Sequence, residues 1–204
     1  MLANYHTHTY RCHHAEGSEK EYIEAAIRGG IKVLGFSDHT PYLFREPWQI
    51  RMMPEELPGY VETLRALAGR YAGQIELRIG VEAEYYPAHF ASHVAFLREN
   101  GIRYLLLGQH FLGNEAGEPY CGRPTEDVCV LERYVEQSAE ALHEPVIGPP
   151  AAHKMDEVGV GEVSEQPRLQ GLLALRHIAL QNAGVLRLAA AAGLADLVAK
   201  KMLA

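Results

Sequence analysis

The histidines of this chain cluster in a way that ordinary surface histidines do not. Five of the 11, His6, His8, His13, His14 and His39, fall within the first 39 positions. His6 and His8 alternate by two, so on an extended strand both side chains point to one face and can grip one ion. His39 follows the apolar run IKVLGFS, Glu82 ends the run IELRIGVE, and His110 follows RYLLL after a Gly-Gln step. In parallel α/β folds, the edge where strands give way to loops is where ligands bind. Imidazole and carboxylate together suit zinc, iron or manganese, and a carboxylate can bridge two ions where an imidazole nitrogen cannot. Cations held in this way lower the pKa of a bound water and clamp phosphoryl oxygens. That chemistry suits hydrolysis of a phosphate ester, among the slowest uncatalysed reactions.

The elements that must position these residues follow a repeating β-loop-helix pattern, which predicts an α/β protein with a parallel sheet. Strands are expected at 2–7, 31–37, 75–82 and 103–107. Ser18 with Glu21 three residues on is a capping box for a helix to about Arg28, closed by Gly29 and Gly30. Helical periodicity also runs over 55–71, 88–100 and 125–142. The long loop 38–53 is rich in Pro, aromatic residues and Arg, and a loop of that length in a compact domain is more often functional than idle.

Composition narrows the function classes. The formal net charge of −7 argues against a broad nucleic-acid footprint, which draws its affinity from clustered Lys and Arg, and favours a small polar substrate. The start, MLANYHTHTYRCHH, lacks the basic and apolar runs of a signal peptide, and 184–199 is too short and too charged to span a bilayer. No membrane partner and a cytoplasmic location are expected. Cys12, Cys121 and Cys129 form no Cys-x-x-Cys pair and no even framework, so neither disulfides nor a zinc ribbon are indicated.

The stretch YHTHTYRCHHAEGSEKEYIEAAIRGGIKVLGFSDHTPY, with GVEAEYYP and LLLGQHFLG further on, strongly resembles the polymerase-and-histidinol-phosphatase (PHP) superfamily, in its histidinol-phosphatase branch. The resemblance covers about residues 1–142. It implies a distorted (β/α)7 barrel, up to three divalent metal ions (zinc, manganese or iron), and hydrolysis of L-histidinol phosphate to L-histidinol and phosphate in histidine biosynthesis. Carried over motif by motif, His6 and His8 would bind the first metal, Glu82 would bridge it to a second, and His110 would bind that second ion. His14, chosen over His13 on spacing, and His39 would hold a third. Glu82 and Asp38 are the carboxylates expected to serve catalysis. Asp38 could act as a general base or, standing beside a ligand, orient His39 through a hydrogen bond.

The last third departs from that pattern. The His-Pro-Asp motif expected after the fifth strand and the Asp-x-His motif expected near the end of the barrel do not occur in this sequence. All the aromatic residues, 11 Tyr, 5 Phe and 1 Trp, lie at or before Tyr134. A boundary is therefore expected near residue 142, between a PHP metal-binding domain (1–142) and a divergent loop with an Ala/Leu-rich helical tail (143–204), leaving the barrel incomplete. His153 stands near the position of the missing fifth-strand histidine and is a weak candidate ligand. A shortened natural variant, an altered reading frame, and a remnant without catalysis remain open, as does another phosphoester, phosphotyrosine or nucleotide, as substrate.

The other notable residues have plain explanations as well as functional ones. His89 and His93, four apart on a helix, lack the Glu of a zincin motif and read as helix surface. Cys12 either packs beneath the site or ligates as a thiolate. Arg11, Arg45, Arg51 and Arg123 are candidates for gripping phosphate, or ordinary surface cations. Tyr42, Phe44 and Trp48 could wall the substrate pocket or cover the barrel mouth.

Overall fold

The computed structural model describes residues 3–44, 50–114, 120 and 127–144. The expectations for His153 and for the helical tail fall outside these residues. The chain divides into two units, Met1–Ala83 with His89–Leu106, and Glu84–Ala88 with Leu107–Ala204.

In the first unit the predicted alternation holds. The order is β1 (Ala3–Asn4), α1 (Glu19–Arg28), β2 (Val33–Phe36), α2 (Leu57–Arg70), β3 (Glu76–Ala83), α3 (Phe90–Glu99) and β4 (Tyr104–Leu107). The sheet runs β1-β2-β3-β4, so each helix crosses from one strand to its neighbour. β1 pairs with β2 in parallel, Ala3 opposite Val33, and β2 with β3, Val33 opposite Glu76. This is the parallel α/β architecture expected, with four strands among the described residues.

Local chemistry explains where the helices begin and end. The Ser18 hydroxyl accepts the Glu21 N–H, while the Glu21 carboxylate accepts the Ser18 N–H at 2.7 Å, closing the capping box that starts α1. After Gly29 caps the helix, Gly30 turns the chain at φ 73°, a conformation glycine adopts without strain. Before α2, the 3-10 turn Pro54–Glu56 places its proline where no amide donor is needed, and the Glu56 carboxylate accepts the Met53 N–H at 2.6 Å.

The core beneath the sheet joins Ile23 and Ala26 of α1, Leu34 and Phe36 of β2, Leu57, Tyr60, Val61 and Leu64 of α2, Val81 of β3 and Leu97 of α3. Fully burying side chains of this size is worth about 1.5–3 kcal/mol each. On the sheet itself, Gly35 and Gly80 leave the space that the Tyr104 ring fills: a Cβ on either glycine would come within 3.0 Å of Tyr104 atoms. The Tyr104 hydroxyl reaches the carbonyl oxygens of Phe36 at 2.8 Å and Tyr5 at 3.0 Å. One side chain of β4 thus ties the ends of β1 and β2.

The predicted first strand is shorter than expected. The chain leaves the ladder after Asn4, whose side-chain oxygen accepts the His6 N–H at 3.0 Å. A side-chain acceptor that close offers the backbone an alternative to pairing. Contact resumes just past β2, where Ser37 N–H donates to the Thr7 carbonyl at 2.9 Å and Thr7 N–H donates to the Ser37 hydroxyl at 3.1 Å.

The described part of the second unit centres on α4 (Val128–His143), whose Asp127 side chain accepts the Cys129 N–H at 2.9 Å. Tyr134 and Val135 pack with Leu112 in a small apolar cluster. Gln137 of the same helix fastens the loop before it, accepting from Gly113 N at 2.8 Å and donating to the Gly113 and Tyr85 carbonyls at 3.1 and 2.6 Å. Gln109 accepts from Tyr85 N at 2.9 Å and donates to the Phe111 carbonyl at 2.6 Å.

Candidate metal centre

Within the first unit, the C-terminal ends of the first three strands bring the predicted ligands together. His6 and His8 lie just past β1, His39 three residues past β2, and Glu82 near the end of β3. The ladder extends beyond the strands through the bridge of His39 with Glu82. Glu82 N–H donates to the Ser37 and Asp38 carbonyls at 3.2 and 3.1 Å, and Thr40 N–H donates to the Glu82 carbonyl at 2.9 Å. The backbone around Glu82 is therefore pinned on both sides.

Three ligand atoms form a tight triangle. His6 Nε2 lies 2.9 Å from His8 Nε2, and Glu82 Oε2 lies 3.0 Å from His6 Nε2 and 2.9 Å from His8 Nε2. Bonds of about 2.0–2.2 Å to one cation place neighbouring ligands about 3 Å apart, which is the spacing seen here. His39 Nδ1 stands 3.7 Å from the same carboxylate oxygen. The ring centroids of His8, His14 and His39 are 4.7–5.0 Å apart in all three pairings. Ligand atoms of His8, Cys12 and His14 also lie within 4.8 Å of one another.

The donor set fits a divalent cation. Glu82 is buried, and the imidazoles of His6, His8 and His39 all lie within ion-pair distance of its carboxylate. His8 Nδ1 is a buried nitrogen with no hydrogen-bond partner among the described residues. Two imidazole nitrogens at contact distance can share at most one proton between them, whereas a cation between them uses both lone pairs. The group opens to solvent on the His6 side, whose side chain is 55 % exposed against 5 % for Glu82.

The structure separates His14 from His13. His14 turns its ring toward His8 and His39, with Nδ1 3.0 Å from the Cys12 carbonyl. His13 is exposed and sits at φ 57°, the left-handed cap of the 3-10 turn Tyr10–Cys12. Cys12 is fully buried, its thiol donating to the Thr9 carbonyl at 3.0 Å, and burial pushes its pKa up to about 12.

Asp38 takes hydrogen bonds from the chain that follows His8. Both its oxygens are occupied by Thr9: the N–H donates to Oδ1 at 2.6 Å and the hydroxyl to Oδ2 at 2.9 Å. Its carboxylate thus fastens the loop that follows His8. Burial raises its pKa, opposed by the bonds from Thr9 and the nearby His8. Thr9, which the sequence reading passed over, has a signal only in hindsight: a Thr beside each ligand in HTHT.

The cationic candidates fare differently. Arg11 pairs through Nε with the buried Glu19 and lies over the Tyr10 and Tyr60 rings, so it braces α1 against α2. Arg51 is 2 % exposed, with its guanidinium 4.8 Å from the centre of the Tyr42 ring. Arg45, Arg123 and Trp48 lie outside the described residues. His93, expected on the surface, is 3 % exposed because its Nε2 meets the Thr40 hydroxyl at 2.9 Å, and its ring packs on Tyr42 at 4.6 Å. His89 stacks on Phe44 at 3.9 Å.

His110 belongs to the second unit, where its Nδ1 lies 3.0 Å from Oε1 of Glu84, a fully buried carboxylate. Glu84 was not singled out from the sequence, although it repeats the period of two in Glu-x-Glu that marks His6 and His8.

A parallel α/β sheet carrying a histidine-carboxylate cluster at its strand ends defines an α/β protein with a candidate metal centre. The match to the PHP domain model over residues 4–173 places the particular family, and the chain belongs to it. A Deinococcus radiodurans protein named "Probable histidinol-phosphatase" is 32 % identical over 114 residues, which are 55 % of this chain and 43 % of that protein. The histidinol-phosphatase of Bacillus subtilis is 24 % identical over 170 residues, 76 % of this chain and 63 % of that protein. The chain thus spans less than two thirds of the length of these relatives. Two solved structures share the fold. A histidinol phosphatase candidate from Listeria monocytogenes superposes with a TM-score of 0.60 at 20 % identity, over 71 % of this chain and 62 % of the other. The histidinol phosphate phosphatase of Lactococcus lactis, solved with zinc, L-histidinol and phosphate, gives 0.58 at 16 % identity over 88 % and 70 %. Among the described residues, no helix is long and apolar enough to cross a membrane.

Proposed function

We propose that this chain is a metal-dependent phosphomonoesterase that hydrolyses L-histidinol phosphate to L-histidinol and phosphate, a cytoplasmic step of histidine biosynthesis. The observation that carries the reading is the convergence of His6 Nε2, His8 Nε2 and Glu82 Oε2 at 2.9–3.0 Å. The names of the relatives support the substrate, and the zinc in the Lactococcus lactis structure supports the cofactor class of zinc, manganese or iron, up to three ions.

In this reading His6, His8 and Glu82 would hold one cation and His14 with His39 another, while His110 would serve as a ligand from the second unit. Divalent cations so held supply Lewis acidity, polarising a phosphoryl oxygen and acidifying a bound water. The chain's own part is to keep three neutral or anionic donors in one place before substrate arrives. Thr9 and Asp38 serve this by fixing the loop after His8, Thr40 and Ser37 by fixing the backbone at Glu82. The exposed edge of His6 gives a small phosphorylated substrate its approach.

The test is metal analysis by mass spectrometry, combined with phosphate release from histidinol phosphate, phosphotyrosine and a nucleotide. Wild type is expected to hold metal and to prefer histidinol phosphate, with His8→Ala and Glu82→Ala losing metal and rate together. Preference for phosphotyrosine or the nucleotide overturns the substrate. Wild-type protein without bound metal or phosphate release above background overturns the enzyme.

A further inference from the structure

The loop bearing His110 is held more firmly than a surface loop requires. Two side-chain amides stitch it to the short segment Glu84–Ala88 of the same unit. Gln109 bonds both Tyr85 N and the Phe111 carbonyl, and Gln137 bonds the Tyr85 carbonyl and both backbone groups of Gly113. Asn114 adds a third tie, accepting the Ala88 N–H at 3.2 Å. Both glutamines are buried, so each bond is shielded from competing water. Inside this frame Glu84 is 1 % exposed and meets His110 Nδ1 at 3.0 Å.

We propose that Glu84 is a positioning residue for His110: its carboxylate accepts the Nδ1–H, which fixes the ring orientation and leaves the lone pair on Nε2 for a divalent cation. The inference rests on the reading of His110 as a metal ligand. A carboxylate cannot share a proton-free Nδ1, so the 3.0 Å contact selects the Nδ1–H tautomer of the neutral ring. Burial makes an unpartnered carboxylate costly, and a buried carboxylate set against an imidazole nitrogen restricts the ring's rotation. A carboxylate behind a ligating histidine raises the ring's basicity as well as aiming it, and loss of such a partner weakens metal binding about 10–100-fold. Gln109 and Gln137 hold the backbone next to both partners, at Tyr85 after Glu84 and at Phe111 and Gly113 after His110.

The experiment uses the full chain and zinc alone as probe, with bound zinc measured against buffered free zinc for wild type, Glu84→Gln, Glu84→Asp, His110→Ala and the double variant Glu84→Gln/His110→Ala. Glu84→Gln keeps the shape and Glu84→Asp keeps the charge, and thermal unfolding of each without zinc reports folding separately. The expected result is that both single Glu84 variants weaken the weakest zinc step about 10–100-fold at an unchanged metal-free midpoint. The double variant then binds zinc no more weakly than His110→Ala alone, since Glu84 acts only through that ring. Wild-type affinity in Glu84→Gln overturns the proposal while leaving the metal reading intact. An additive double variant overturns it too, making Glu84 a ligand in its own right. If His110→Ala binds zinc as wild type does, the reading beneath it fails and the inference falls with it.

Discussion

Substituting Gly80 by Ala tests whether the sheet was built around the Tyr104 ring. The new Cβ comes within 3.0 Å of three ring atoms. The ring cannot swing aside cheaply, because its hydroxyl is tied to the Phe36 and Tyr5 carbonyls and its hydroxyl end lies against Gly35. Overpacking of this kind costs about 1–3 kcal/mol. Against it stands the roughly 0.5–1 kcal/mol by which Ala ordinarily improves on Gly inside a strand. The net expectation is a loss of about 1–2 kcal/mol, the overpacking outweighing the propensity gain. Urea unfolding of the full chain measures it, and a double-mutant cycle with Tyr104→Ala isolates the cause. With the ring gone, Gly80→Ala is expected to be neutral or stabilising, giving a coupling of about 1–3 kcal/mol, the size of the relieved clash. Gly80→Ala that is as stable as wild type in the Tyr104 background refutes the reasoning. The same ring anchors the carbonyl immediately before His6, so zinc affinity is expected to fall in Gly80→Ala along with stability.

Other outcomes follow from the same geometry. Asp38→Asn places an amide where two Thr9 donors expect oxygens, and is expected to cost about 1–3 kcal/mol in chemical denaturation, the price of a buried group left mismatched. Removing metal with a chelator is expected to lower the unfolding temperature. Zinc at 100 times its dissociation constant stabilises by about 2.7 kcal/mol if it binds the folded chain alone, so an unchanged midpoint counts against the site. The Glu21 carboxylate is held below the usual glutamate range, first by the Ser18 N–H and then by its hydroxyl. A lowered folded pKa means this contribution is complete above the ordinary glutamate pKa and is lost as pH falls through the lowered one. Glu21→Gln is accordingly expected to flatten the acid limb of a stability profile in that window, and Ser18→Ala to cost about 1 kcal/mol at neutral pH.

Much of this protein could be read from its residues in order. The capping box at Ser18, the glycines that end α1, and the period of the apolar runs state local preferences that the backbone obeys wherever it sits, and these elements appear within a few residues of their expected bounds. The histidines at strand ends were legible for the same reason, since a parallel sheet leaves its loops at one edge. What the linear pattern did not contain was partnership. Asp38 stands beside His39 in the chain yet bonds Thr9, because the loop after β1 folds back over it. His93 has the spacing of a surface helix position yet is buried against Thr40, and Arg11 spends its charge on Glu19. The alternation of His6 and His8 suggested a strand, whereas the ladder stops at Asn4 and their convergence comes from Glu82, 74 residues beyond His8 in sequence. Glu84 and Gly80 were silent for a related reason, their meaning residing in His110 and Tyr104. Sequence alone determined the elements and the kind of donor, because propensity and periodicity are local. Only tertiary structure decided which donor meets which, because such pairs are chosen by distance across the fold and by the cost of leaving a buried polar group alone.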